Sequence, residues 1–195
     1  MSQDKPAHRR RLFLKGLTSL GAVATFGPVL AVAARPPWMA EVLETQEQFP
    51  VPTAIRKAIP ATGELLPVIG MGSWITFDVG DDERERATRV QVLQAFFDRG
   101  GALIDSSPMY GAAQEVIGHG LKQIRNKGAL FAATKVWIYG RWLGVRQMEA
   151  ARELWAVPRF DLMQIHNMLD WQAHLETLKA WKAEGRIRYI GITTS

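Results

Sequence analysis

Short apolar runs alternate along most of this chain with longer stretches whose apolar positions recur every three or four residues. The runs fall at residues 68–72, 102–105, 130–135, 162–166 and 187–193. Each is continuously apolar rather than alternating, as parallel strands covered on both faces are. They recur about every 30 residues, the length of one strand–helix–strand unit. Between them the spacing predicts helices. Asp82 followed by Glu85 resembles a capping box, and Val90, Leu93 and Phe97 then share a face. Glu115 opens a shorter helix with Ile117, Leu121 and Ile124 on one stripe. Trp171, Leu175, Leu178 and Trp181 form a third stripe, with Gly185 where a C-terminal cap belongs; core packing explains those tryptophans better than a cofactor box. Ahead of these units, residues 54–59 and 65–69 predict a small hairpin turning near Gly63.

Repeated units of this kind leave two architectures, an open doubly wound sheet or a closed (β/α)8 barrel. The open sheet is usually marked by G-x-G-x-x-G after its first strand. Here Gly70-Met71-Gly72-Ser73-Trp74-Ile75 lacks the third glycine, and a loop through residues 78–82 precedes the helix. The barrel of the TIM type is the expected fold. Such a barrel takes about 250 residues; the span 54–195 holds about five of its eight units, so the chain is expected to be the N-terminal part of one.

Charge and cysteine content narrow the function. The formal net charge is +5, but Lys5, Arg9, Arg10, Arg11 and Lys15 against Asp4 put most of it in residues 1–34. No basic patch remains elsewhere to argue for nucleic acid. The absence of cysteine excludes disulfides, thiolate metal sites and a cysteine nucleophile. The four histidines, His8, His119, His166 and His174, have no spacing typical of a zinc site, so no metal is expected.

The N-terminal residues have the form of an address. Arg10-Arg11-Leu12-Phe13-Leu14-Lys15 precedes an uncharged stretch rich in Gly and Ala that ends in Ala31-Val32-Ala33-Ala34, before Pro36-Pro37. Residues 1–34 are expected to be a twin-arginine (Tat) export signal, read by the Tat translocase and sending the protein to the periplasm or otherwise out of the cytoplasm. An uncleaved membrane anchor is the alternative. Residues 35–53 follow as a linker.

Parallel α/β proteins keep their chemistry at the C-terminal ends of strands. Three successive runs end there in a titratable residue: Asp105, Lys135 and His166. Tyr110 lies five residues past Asp105. A carbonyl that accepts a hydride becomes an alkoxide and needs a proton. A phenol near pKa ~10 is a weak acid for that task. A neighbouring lysine ammonium would stabilise the phenolate and lower that pKa, with Asp105 keeping Lys135 charged and fixed. His166 would hydrogen-bond the carbonyl oxygen. The hydride has to come from a cofactor.

These segments resemble the aldo/keto reductase family over most of residues 54–195. Val68-Ile69-Gly70-Met71-Gly72-Ser73-Trp74 is similar to the family's first strand and the loop behind the nicotinamide. Ile104-Asp105-Ser106-Ser107-Pro108-Met109-Tyr110-Gly111, with Glu115 and Gly118, resembles its signature. Ala133-Thr134-Lys135-Val136-Trp137 and Asp161-Leu162-Met163-Gln164-Ile165-His166 resemble the lysine and histidine segments. The resemblance implies Tyr110 as general acid/base, Lys135 and Asp105 as its tuning pair, and His166 as substrate orienter. It implies Trp74 and Trp137 at a substrate pocket, and Gly72, Ser73, Asn167, Thr193 and Thr194 at a nicotinamide cofactor, NADPH with NADH possible. It further implies a small carbonyl compound as substrate. Thr193-Thr194 stand where the family usually has Ser-Asn, keeping hydroxyls without the carboxamide. Two alternatives stay open: a truncated, non-catalytic relative that binds or needs a partner chain, and an aldolase or isomerase on the same barrel, which would leave the Asp–Tyr spacing without a role.

Overall fold

A computed structural model describes residues 54–194. The twin-arginine element, the apolar stretch behind it and the linker lie outside the described residues. The described part opens with the expected hairpin, β1 (Arg56–Ala58) against β2 (Leu65–Pro67), antiparallel, with Gly63 at φ 72° in the turn. Glycine adopts that left-handed conformation without a Cβ penalty.

Five parallel strands follow: β3 (Met71–Gly72), β4 (Leu103–Asp105), β5 (Phe131–Val136), β6 (Phe160–Ile165) and β7 (Ile187–Ile192). They pair in chain order, β3-β4-β5-β6-β7. This order separates the two candidate architectures. A doubly wound sheet reverses direction partway and so carries helices on both faces. A sheet that grows one strand at a time in one direction, with crossovers of the usual hand, carries them all on one face and curls into a barrel. The helices α1 (Glu83–Asp98), α2 (Ala113–Gln123), α3 (Arg141–Trp155) and α4 (Trp171–Ala183) pack each against the next as one such layer. The described residues form part of a (β/α)8 barrel.

Each strand therefore has a helix face and an inner face. On β5, Ala132, Thr134 and Val136 meet the helices, and the Thr134 hydroxyl donates to Gln114 of α2 at 2.7 Å. Alternation then puts Lys135 on the inner face. Most of the core lies between sheet and helices, where Leu93, Ile104, Ile117, Met148, Trp155, Met163, Ile165 and Leu178 are almost completely buried. At the opposite end from the candidate site, Arg188 bridges Glu64 (2.5 Å) and Asp161 (2.7 Å), and the Tyr189 hydroxyl donates to the same Glu64 carboxylate at 2.5 Å. This pins the hairpin across the N-terminal ends of β6 and β7.

The local signals have physical counterparts, with corrections. Asp82 caps α1 by accepting the Glu85 backbone N–H at 3.0 Å. Only that half of the box forms, because the Glu85 carboxylate pairs with Arg89 at 2.8 Å instead. Gly185, at φ 74°, ends α4; Arg186 N–H reaches Trp181 O (2.8 Å) and Gly185 N–H reaches Lys182 O (3.1 Å), a Schellman closure. The first strand is shorter than residues 68–72: Val68 and Ile69 are exposed and lead in from the hairpin. The buried face of α4 is His174, Thr177, Leu178 and Trp181; Trp171, in the first turn, is exposed. Helix α3, not among the helices the spacing predicted, buries Gly144, Met148, Ala151 and Trp155, which recur every three or four residues along one face.

Candidate active site

Parallel register brings the strand ends together. Gly72 pairs with Asp105, Asp105 with Ala133, and Lys135 with Gln164. Asp105 closes β4 and Lys135 is the last inner-face residue of β5, so the two side chains meet over one rim. Lys135 is 3% exposed. Its ammonium donates to the Asp105 carboxylate and, at 2.8 Å, to the Ser106 carbonyl. A buried ammonium keeps its charge only with partners of this kind.

Asp105 is held from a third side. Gln164, on the neighbouring strand, donates from Nε2 to Asp105 Oδ1 at 2.7 Å. This residue was not singled out in the sequence. The available signal was its position: it lies two residues before His166 in a strand, on the same inner face as Lys135, where a polar side chain needs a partner.

Tyr110 stands beside this cluster, with the Lys135 ammonium 5.3 Å from its ring centre. His166 meets it edge-on, with ring centres 5.9 Å apart. Trp74 flanks Tyr110 at 6.4 Å, and Trp137 flanks His166 at 6.4 Å. Both tryptophans are exposed, Trp74 more so than Trp137. Asp105, Tyr110, Lys135, His166, Trp74 and Trp137 thus gather at one mouth. The mouth loops are braced too. Asp78 accepts the Ala112 backbone N–H at 2.9 Å, and a Cβ on Gly111, which has φ 54°, would strike that carboxylate.

The electrostatics differ from expectation in one respect. The Tyr110 hydroxyl is raised above the ordinary phenol value, first by burial and then by the Asp105 carboxylate. The Lys135 ammonium is paired with Asp105, the same carboxylate that faces the phenol. Tyr110 is therefore a protonated donor. His166 is lowered by burial and by the charge of Lys135, with Asp105 opposing, so it is a neutral imidazole.

The expected cofactor residues are partly brought together. His166 opens a short 3-10 turn, His166–Met168, in which Asn167 is left-handed at φ 53°, a conformation asparagine tolerates. The Asn167 N–H donates to the Thr193 hydroxyl at 3.0 Å, and Thr193 N–H to Ile165 O at 3.0 Å, which joins the ends of β6 and β7. Asn167 and Thr194 are exposed beside His166. This set of a carboxamide and hydroxyls fits the amide head of a nicotinamide. Ser73 differs: it is fully buried and its hydroxyl donates to the Asp105 carbonyl at 2.9 Å, which makes it a brace between β3 and β4. Gly72 has open space where a Cβ would stand. Among the described residues, no group of three His, Asp or Glu side chains is placed to hold a metal ion.

The model of the Aldo/keto reductase family matches residues 68–195. The methylglyoxal reductase YeaE of Escherichia coli (strain K12) is 31% identical over 147 residues, covering 71% of this chain and 49% of that protein. The crystal structure of a thermostable aldo-keto reductase in complex with the inhibitor epalrestat superposes with a TM-score of 0.62 at 28% identity, covering 71% of this chain and 53% of that one. An aldo-keto reductase from Klebsiella pneumoniae in complex with NADPH gives 0.61 at 25% identity, covering 72% and 50%. The chain spans about half the length of the curated relative it matches.

Proposed function

Since this chain belongs to the aldo/keto reductase family, we propose that it reduces an aldehyde or ketone with a nicotinamide cofactor, and that Tyr110 is the general acid. The observation that carries the proposal is one cluster at the strand ends: the Tyr110 phenol, the Lys135–Asp105 ion pair and the His166 imidazole.

A bound nicotinamide supplies the hydride that a carbonyl carbon accepts. Asn167, Thr193 and Thr194 would hold its amide. The chain's own residues handle the oxygen. Tyr110 donates its hydroxyl proton to the developing alkoxide. Its raised pKa keeps that proton in place until charge appears on the substrate. Asp105, itself held by Gln164, fixes Lys135 beside the Tyr110 ring. His166 orients the carbonyl oxygen with a hydrogen bond that strengthens as the oxygen becomes negative. Trp74 and Trp137, beside Tyr110 and His166, offer flat apolar faces to a substrate. Likeness to a methylglyoxal reductase makes small 2-oxoaldehydes the first substrates to try, and the NADPH complex of a relative favours NADPH over NADH.

The test is carbonyl-dependent NADPH oxidation by the protein beside Tyr110→Phe. A loss of at least ~100-fold in kcat is expected; wild-type turnover by the variant would overturn the assignment. A second reading is a non-catalytic module that works with another chain. It expects no turnover and a larger assembly in solution. We also propose residues 1–34 as a Tat signal with delivery to the periplasm; a fusion that is exported equally well after Arg10→Lys and Arg11→Lys would refute that.

A further inference from the structure

Ser107 lies in the loop behind β4 with its hydroxyl 2.8 Å from His166 Nδ1, and both side chains are buried. The same oxygen accepts the Met109 backbone N–H at 3.3 Å. A serine hydroxyl has one proton to donate and two lone pairs to accept with. Among the described residues, His166 Nδ1 is the one acceptor that the Ser107 proton reaches. The reverse arrangement, Nδ1–H donating to Ser107, would leave that proton unpartnered in a buried site, which costs free energy. We propose that Ser107 is a positioning residue that donates to Nδ1 and locks His166 as the neutral tautomer with its proton on Nε2. The tautomer assignment stands on geometry alone; its consequence, that Nε2–H donates to a substrate carbonyl oxygen, rests on the function proposed above. A histidine free to place its proton on Nδ1 would turn a lone pair toward that oxygen and repel it.

The surroundings agree. The charged and titratable groups facing the ring are Lys135 from β5, Asp105 from β4 and Tyr110 from the intervening loop. Burial and Lys135 both favour the uncharged ring, against the opposing carboxylate. Ser107 adds the choice between the two neutral forms, which neither burial nor a distant charge makes.

The full chain labelled with 15N-histidine tests this, because long-range proton–nitrogen spectra distinguish the tautomers directly. The chain has four histidines, and the signals lost in His166→Gln identify the relevant ring. The wild type is expected to show a protonated Nε2 and a bare Nδ1. Ser107→Ala removes a donor that stabilises the neutral ring, so the His166 titration midpoint should rise by about half to one pH unit. Its kcat should fall ~10-fold with little change in KM. Ser107→Thr, which keeps the hydroxyl, should restore both. Unchanged His174 signals verify that the alanine variant is folded. A wild-type ring protonated on Nδ1, or a midpoint that falls in Ser107→Ala, overturns the proposal and leaves the reductase assignment intact. The expected tautomer in a protein that reduces no carbonyl supports the proposal and defeats the reductase assignment.

Discussion

Replacing Asp105 with asparagine should lower stability and, at the same time, make Tyr110 easier to ionise. The carboxylate is the sole counter-charge in contact with the Lys135 ammonium among the described residues, and Lys135 is 3% exposed. Breaking a fully buried ion pair costs about 3–5 kcal/mol. Asp105 is about a third exposed and Lys135 keeps the Ser106 carbonyl at 2.8 Å, so the cost falls below that range, at about 2–3 kcal/mol. A urea titration should show a midpoint lowered by roughly 1 M. The phenol responds in the opposite sense. Asp105 contributes to raising the Tyr110 pKa; its removal, with the ammonium left unneutralised, should move the phenol titration down. Phenolate ultraviolet absorbance measures this, and subtracting Tyr110→Phe isolates one of the three tyrosines. A Tyr110 titration that stays or rises in Asp105→Asn, or a stability loss below about 0.5 kcal/mol, would refute the idea that this pair sets the charge at the mouth.

Further expectations follow from packing and linkage. A Cβ on Gly118 would stand 1.7 Å from the Leu154 carbonyl oxygen, so Gly118→Ala forces α2 and α3 apart. The cost of about 1–3 kcal/mol or more exceeds the ~1 kcal/mol that alanine gains over glycine in a helix, and the thermal midpoint should drop by a few degrees. Gly120→Ala meets the end of the buried Leu93 side chain rather than backbone and should cost less; equal effects would contradict the backbone-contact argument. Glu64 is held below its usual 4.5 by hydrogen bonds from Arg188 and Tyr189. A depressed carboxylate stabilises the fold above its unfolded pKa, and the gain fades as pH falls through the folded value. The stability gap between wild type and Glu64→Gln should therefore be full above about pH 4.5 and shrink in acid. A gap that widens in acid would be the wrong sign.

Much of the site was legible before any fold was known, because it depends on strand ends. Asp105, Lys135 and His166 each terminate an apolar run, and parallel strands deliver such ends to one rim. Gln164 and Ser107 were not legible as partners. Their roles arise from contacts between neighbouring strands and loops, to Asp105 59 residues earlier and to His166 59 residues later, which no local pattern encodes. Ser73 looked like a cofactor residue and is a buried brace, because its rotamer is set by the Asp105 carbonyl next to it in space.

Local sequence determined where elements start and stop: the Asp82 cap, the Gly63 turn and the Gly185 closure each satisfy or release backbone groups within a few residues. It also determined that the strands are parallel and buried, since their runs lack alternation. Tertiary structure alone decided the rest. Strand order chose barrel over open sheet, because the unbroken apolar runs suit either. The sign of the shift on Tyr110 was decided likewise. Lys135 and Asp105 both lie near the phenol, but they neutralise one another. The outcome then rests on burial and on the residual pull of the carboxylate, quantities that exist only once the chain is folded.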